Sequence, residues 1–125
     1  MNIPEELKYT KDHEWIRIEG DEATVGITEF ASKELGDIVF VEVETEDEEL
    51  AKEETFGSIE AVKTVSDMFM PVSGVVTKFN EALEDAPETI NQDPFGEGWI
   101  IKIHISDLSE LSDLLDAKAY ASLIS

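Results

Sequence analysis

The sequence predicts a mainly β protein, a β-sandwich or flattened barrel with a short helix near residues 29–35 and a helical tail at its C-terminal end. Three observations support this fold class. Short segments rich in β-branched residues follow one another, turn-forming residues separate them at fairly regular spacing, and the apolar residues take a helical period after Ser106. We expect one domain over residues 1–125, with a core at about 7–105 and the tail at about 106–124.

The first elements are expected to be a hairpin and a short helix. In "EWIRIEGDEATVGIT" the pair Gly20-Asp21 supplies a turn between two alternating segments, so residues 14–28 are predicted to form a hairpin. The segment "TEFASKELG" then has apolar residues at helical spacing. Thr28 is a candidate N-cap, and Gly36 can end the helix in the left-handed conformation.

The segment "DIVFVEVE" predicts the next strand, because β-branched residues dominate it. Strict alternation places Val39, Val41 and Val43 on one face. It places Ile38 and Phe40 on the other face. We expect both faces of the first half of this strand to be buried.

The segment "TEDEELAKEE" carries six acidic residues between positions 46 and 54. Six acids without glycine or ordered spacing do not make a calcium loop, so this stretch is expected to be a solvated loop.

The rest of the chain predicts further strands, a corner and the tail. "TFGSIEAV", "VSDMFMPV", "GVVTKFN" and "WIIKIHI" have extended, apolar patterns, and "NQDPFGEG" is dense in turn formers. In the tail, Asp116 is a possible helix cap. We expect the tail to pack against the sandwich through one stripe of leucines, namely Leu108, Leu111, Leu114 and Leu115.

The charge balance excludes some classes of partner. Nine Lys and Arg residues stand against 30 Asp and Glu residues, for a formal net charge of −21. Such a surface repels phosphate backbones and anionic lipid headgroups, so nucleic acid and membranes are not expected partners. It favours proteins that present basic patches.

The absence of cysteine excludes disulfide scaffolds, cysteine-ligated zinc sites and thiol nucleophiles. No apolar run reaches the ~20 residues that cross a bilayer. The first residues, "MNIPEELKYT", resemble neither a signal peptide nor a transit peptide. We expect a cytoplasmic protein of bacterial type, with the mitochondrial matrix after processing as the alternative.

Lys63 lies in an unusual candidate turn, Val62-Lys63-Thr64-Val65, between two extended segments. Tight hairpins normally use Asn-Gly, Asp-Gly or a glycine pair, because the central residues often need positive φ. Valine and threonine resist such angles. Local conflicts of this kind concentrate at functional sites, although spacing alone is also compatible with an ordinary solvated lysine.

Four segments occur along the chain in this order: "KYTKDHEWI", "ATVGITEFASKELGDIVFVEV", "FGSIEAVKTVSDMFMPVSG" and "INQDPFGEGWIIKI". In sequence, order and spacing they resemble the glycine cleavage system H-protein family. The resemblance extends over roughly residues 7–122. It implies a lipoyl-type barrel-sandwich hybrid of two small antiparallel sheets, with lipoic acid bound covalently to Lys63 through an amide.

The same resemblance implies a carrier rather than an enzyme, acting as a monomer. Its expected partners are glycine decarboxylase, which loads an aminomethyl group, a tetrahydrofolate-dependent aminomethyltransferase, which removes it, and dihydrolipoamide dehydrogenase, which reoxidises the dithiol. A lipoate-attaching enzyme is the fourth partner.

The resemblance also implies roles for individual residues. Glu60 and Gly74 fall where lipoyl-type domains present features that the attaching enzyme reads. Glu14 and Asp67 fall where the family lines the cleft for the loaded arm. Asp12 stands where many relatives have a small polar residue. Its carboxylate could strengthen ammonium binding in the cleft or simply face solvent.

Several alternatives stay open on the sequence. A chain of this type can relay lipoate to other proteins, or it can be an unmodified acidic interaction module. A biotin carrier would show Met-Lys-Met at the tip, where this chain has Val62 and Thr64. His13 could be a cleft residue, a turn histidine or a metal ligand, but with His104 as its only possible histidine partner it predicts a poor metal site. No metal is expected.

Overall fold

The computed structural model describes all 125 residues. Nine strands are present: β1 Lys8–Tyr9, β2 Glu14–Glu19, β3 Glu22–Ile27, β4 Ile38–Glu42, β5 Glu49–Leu50, β6 Thr55–Ala61, β7 Val65–Phe69, β8 Gly74–Phe79 and β9 Ile101–Ile105. The helices are α1 Glu29–Leu35, α2 Ala82–Asp85, α3 Thr89–Gln92 and α4 Ala117–Ile124, with a 3₁₀ helix at Leu108–Asp113. No helix has the length and apolar composition that a membrane span requires.

The strands form two antiparallel sheets. One sheet has six strands in the order β1-β2-β3-β9-β8-β5, and the other has three in the order β4-β6-β7. Twenty buried apolar residues fill the space between the sheets and form the main core. The prediction of a mainly β fold with two antiparallel sheets, a short helix and a C-terminal helix is therefore confirmed.

The predicted hairpin and helix are both present. Strands β2 and β3 pair through Glu19 and Glu22, and Gly20 in the turn has a φ of 69°. The Thr28 side chain caps α1 by accepting a hydrogen bond from the Ala31 N–H. At the other end Gly36 has φ 81° and ψ −151°, so its φ is positive but it is not in the left-handed helical region that we expected. The chain then continues through Asp37 to β4, which begins at Ile38.

Strand β4 corrects the expectation that Ile38 and Phe40 share a buried face. The pairing with β6 shifts between Ile38 and Phe40, so that Val39 is an extra residue, a β-bulge. As a result Ile38 and Val41 both enter the core, while Val39 and Phe40 are exposed.

The acidic segment is not entirely a solvated loop. Glu49 and Leu50 form a short edge strand that pairs with β8, and Leu50 is buried in the main core. The Asp47 N–H donates to the Val76 carbonyl 2.7 Å away, which holds the loop against the same strand.

The tail is helical, but its leucines do not form one stripe. The 3₁₀ helix leaves Leu108 exposed, whereas Leu111 and Leu114 pack on the main core. Leu115 then pairs with Tyr9 across an isolated bridge. This break separates the tail into two short helices, the second of which is capped by Asp116, as expected.

A second, smaller cluster lies on the other face of the six-stranded sheet. It contains Leu7, Tyr9, Trp15 and Tyr120, all fully buried. The rings of Tyr9 and Tyr120 stack with centroids 4.8 Å apart, which fastens α4 to the start of the sheet. The C-terminal helix is thus held beside residues 10–14, which enter the site described next.

Candidate functional site

Lys63 lies at the tip of the hairpin formed by β6 and β7. Glu60 pairs with Val65, and the Ala61 N–H donates to the Thr64 carbonyl at 2.7 Å, so Val62 and Lys63 are the central residues of the turn. Neither residue has a positive φ. The turn therefore avoids the strain that the sequence suggested, by using a conformation open to branched side chains.

The tip rests on the corner that joins α1 to β4. The Val62 N–H donates to the Asp37 carbonyl at 3.0 Å. The Lys63 Cε lies 3.7 Å from the point where a side-chain Cβ at Gly36 would stand. The Lys63 side chain thus runs over Gly36, at the end of α1, while its ammonium group makes no ion pair or side-chain hydrogen bond with the protein.

A cavity of about 210 Å³ lies beside α1. Half of its lining is apolar, and the remainder is mostly acidic or hydroxylic. The lining residues are Asp12, His13, Glu14, Ile27, Phe30, Ala31, Glu34, Leu35, Ile59, Ser66, Asp67 and Met68. The structure therefore brings together Asp12, Glu14 and Asp67, the three positions that the sequence suggested for the cleft.

Glu14 is the buried carboxylate of this cavity, with 3% of its surface exposed. Its Oε1 accepts a hydrogen bond from the Thr10 hydroxyl at 2.6 Å, and its Oε2 accepts one from the Phe69 N–H at 3.3 Å. Burial raises the pKa of Glu14 to about 7, although both hydrogen bonds act in the opposite direction. Near neutral pH, Glu14 therefore titrates between an acid and a carboxylate that can hold a cation.

The other two acids differ from Glu14 because both are exposed. Asp12 follows the Thr10 turn, and its N–H donates to the Thr10 hydroxyl oxygen. Asp67 lies on the edge strand β7, opposite Ser58 of β6. Both residues line the cavity, but water screens their exposed carboxylates, whereas Glu14 is buried. The pairing with Ser58 places the Asp67 side chain on the outer face of the three-stranded sheet.

A hydrogen-bonded network on the wall of the cavity was not predicted. The Tyr120 hydroxyl lies 2.9 Å from His13 Nδ1 and 2.7 Å from the Thr28 hydroxyl oxygen. His13 has a φ of 69°, which is uncommon for a residue other than glycine, and its ring packs on Phe30. Burial lowers the pKa of His13 and raises that of Tyr120. Only the long-range packing of α4 creates this network, so no local signal in the sequence indicates it.

Glu60 and Gly74 are separated in the structure. Glu60 is exposed next to the tip, whereas Gly74 is buried at the start of β8, beyond the base of the hairpin. A Cβ at position 74 would clash with the His104 carbonyl oxygen. Close approach of two strands is therefore a sufficient reason for glycine at this position.

His104 lies far from His13 along the sheet. Its ring is 3.9 Å from the carboxylates of Asp21 and Glu22, at the turn end of the first hairpin. Glu14, which follows His13, begins β2 at the opposite end of that hairpin. The two histidines therefore do not share a site.

The fold has two antiparallel sheets, and an exposed lysine lies at the tip of the β6–β7 hairpin beside the end of α1. These features define a barrel-sandwich of the lipoyl type. The crystal structure of a glycine cleavage system H protein from Mycobacterium marinum is similar to this chain, with a TM-score of 0.87 and 41% identity. The similarity covers 96% of this chain and 97% of that one.

Sequence comparison agrees with the fold. The glycine cleavage H-protein family matches residues 7–125. The glycine cleavage system H protein of Bacteroides thetaiotaomicron is 56% identical over 124 residues, and that of Staphylococcus carnosus is 52% identical; each match covers 99% of this chain and 98% of the relative. The chain belongs to the glycine cleavage H-protein family.

Proposed function

We propose that this chain is the lipoyl-bearing shuttle of a glycine cleavage system, with lipoate bound through an amide to Lys63. The observation that carries the proposal is the exposed Lys63 amine at the end of α1, the helix whose residues Ala31 and Leu35 line a cavity that also contains the buried carboxylate of Glu14. The chain would act as one domain and as a monomer in the bacterial cytoplasm. It would be a protein-bound substrate of the other enzymes and not itself an enzyme.

The residues at the site fit the cofactor. The Lys63 ammonium has no partner in the protein that acylation would have to break. Helix α1 lies under the lysine and also contributes Ala31 and Leu35 to the cavity. An alkyl arm fixed at Lys63 would find apolar surface there. Lipoate would supply a disulfide that takes up an aminomethyl group from glycine decarboxylase, delivers it to the aminomethyltransferase, and is restored from the dithiol by dihydrolipoamide dehydrogenase.

Glu14 would hold the cargo in this scheme. Its carboxylate already accepts two hydrogen bonds, and the oxygens have further lone pairs that a protonated amine can use. A charge-assisted hydrogen bond of this kind is stronger in a site with little water. Ile27 and Phe30 would limit the access of water to the carbon that carries the amine.

Asp12 and Asp67 would act at the entrance to the cavity. Both carboxylates are exposed, so we assign them the attraction of a cationic amine to the entrance rather than its tight binding. Asp12 is the weaker case because its backbone, and not its carboxylate, takes part in the Thr10 turn.

We assign Glu60 and Gly74 to recognition by the lipoate-attaching enzyme, through different means. Glu60 presents an exposed carboxylate close to Lys63. Gly74 would contribute through shape, because it allows β8 to approach β9.

The experiment is an intact mass measurement of the protein from a host that makes lipoate, followed by peptide mapping and assay with the three enzymes of glycine cleavage. We expect one lipoyl increment on Lys63 and full turnover. Lys63→Arg should abolish both, while Lys78→Arg, a change at an exposed strand lysine, should alter neither.

Other outcomes would contradict the proposal. An unmodified Lys63 in such a host would favour an acidic interaction module. A lipoyl increment without turnover, combined with transfer of the lipoyl group to other proteins, would favour lipoate relay. A biotinyl increment would indicate carboxyl transfer.

A further inference from the structure

Exposed apolar side chains are concentrated around Lys63. Val39 is 47% exposed, Phe40 49%, Val62 75% and Val65 64%. These make up four of the seven large apolar residues that are exposed in the whole chain. On a protein with a net charge of −21, an apolar surface at one place indicates an interaction site.

The strand register places these residues together. Phe40 pairs with Glu60, and Glu60 pairs with Val65, so the three side chains share the outer face of the three-stranded sheet. Val62 follows β6 at the tip, and Val39 is the bulged residue next to Phe40. We call this group the tip patch: Val39, Phe40, Glu60, Val62 and Val65.

The β-bulge is the reason that the patch is apolar. Without it, the period of two in a strand would turn Phe40 inward with Ile38, because these residues are two apart. The extra residue at Val39 instead turns Phe40 outward, onto the exposed face of the three-stranded sheet. Bulges often redirect a side chain beside a functional site.

An acidic surface borders the tip patch on the side away from the tip. The next row of the same face contains Glu42, Ser58 and Asp67. A shallow groove of about 230 Å³ runs through this row and includes Glu44. The outer face therefore has an apolar part near Lys63 and an anionic part beyond it.

We propose that the tip patch is the docking surface for glycine decarboxylase, and that the entrance to the enzyme's active site is apolar next to Lys63 and cationic opposite Glu42 and Asp67. This inference rests on the proposed function. An arm on Lys63 can enter an active site only if the residues around Lys63 face its entrance. Burial of Phe40 would supply affinity, while the acidic row would raise the rate of encounter.

The experiment measures direct binding of glycine decarboxylase to the full chain in a Lys63→Arg background, so that acylation has no part in the result. Phe40→Ser is compared with Leu108→Ser, which removes an apolar side chain that is 53% exposed on the 3₁₀ helix. We expect Phe40→Ser to raise the dissociation constant about tenfold, as removal of a central interface residue does, and Leu108→Ser to leave it within about twofold.

Equal dissociation constants for the Lys63→Arg chain with and without Phe40→Ser would overturn the proposal. A Lys63→Arg chain that does not bind glycine decarboxylase at all would also overturn it. Sedimentation of the wild-type chain tests another occupant: a dimer that Phe40→Ser dissociates would assign the patch to a second copy. Failure of the proposed function is seen separately, as the absence of a lipoyl increment on Lys63 in the wild-type chain.

Discussion

At the tip of hairpin β6–β7 the side chains of residues 62–65 are exposed, whereas at its base Met70 is buried and the Phe69 N–H donates to the buried carboxylate of Glu14. The charged group at the tip is therefore surrounded by water, whereas the one at the base is buried in the protein. The Lys63 ammonium is in water and free to react, while Glu14 loses hydration and its pKa rises. Substitutions at the exposed tip should therefore alter the chemistry of the site without changing stability, whereas substitutions at the buried base should alter stability as well.

The largest effect is expected at Glu14. A carboxyl group with a raised pKa in the folded state favours folding most when it is protonated, so its contribution is complete below its ordinary pKa of 4.5 and is lost as the pH rises through about 7. That shift corresponds to about 3 kcal/mol. Glu14→Gln stays neutral, so the free energy of unfolding of wild type relative to this variant should fall between pH 5 and 8, by a value of that order.

Urea unfolding of both proteins at steps of pH measures this difference, and because the other 29 acidic residues are common to both proteins, their contributions cancel. Parallel pH profiles would show that Glu14 is not the group responsible.

The same two proteins, wild type and Glu14→Gln, test retention of the cargo. The loaded Glu14→Gln protein should release ammonia about tenfold faster than loaded wild type at pH 8, because a neutral amide loses the charge-assisted hydrogen bond.

An intermediate effect is expected at Gly74. An added methyl would meet the His104 carbonyl oxygen, part of the backbone, so the strands must move apart. Gly74→Ala should lower the free energy of unfolding by about 2 kcal/mol and should also slow lipoylation. Chemical denaturation and a timed mass assay of lipoylation measure the two quantities. Slow lipoylation with unchanged stability would mean that the lipoate-attaching enzyme contacts position 74 directly. Packing of β8 against β9 would then not be the reason for glycine at this position.

The smallest effect is expected at Glu60. Its side chain is exposed, so Glu60→Gln should leave the free energy of unfolding within ±0.5 kcal/mol of wild type. Loss of one surface charge contact with the attaching enzyme should slow lipoylation of Lys63 about threefold, which is the range of exposed ion pairs. Glu81→Gln, a change at an exposed acid on another part of the surface, is the control. If wild type, Glu60→Gln and Glu81→Gln were lipoylated at the same rate, Glu60 would not be part of the surface that the attaching enzyme recognises.

The elements that the sequence predicts well are those whose signals are local. Thr28 caps α1 through a contact three residues away, and Gly20 supplies the turn of the first hairpin through its own φ. The sequence also predicts a turn at Lys63, although spacing alone favours an ordinary surface lysine there. The resemblance of four segments to one family separated the two interpretations.

The parts that the sequence could not predict depend on distant contacts. The bulge at Val39 exists because β4 must pair with β6, and strict alternation of β-branched residues gives no sign of it. The Glu14 carboxylate accepts hydrogen bonds from Thr10, in the turn before β2, and from Phe69, which is 55 residues away on β7. The same holds for Tyr120, since its hydroxyl reaches residues about one hundred positions earlier.

The position of Tyr120 in the chain has a consequence for biosynthesis. The three-stranded sheet with Lys63 is made entirely of residues 38–69, so all of it leaves the ribosome before α4 is translated. Tyr120 follows Thr28 by 92 residues, which ribosomes add in about 5–20 s. During that interval the nascent chain already contains the residues of the β6–β7 hairpin, but His13 and Thr28 still lack the hydroxyl that joins them. The wall of the cavity is therefore among the last parts of the protein to become ordered.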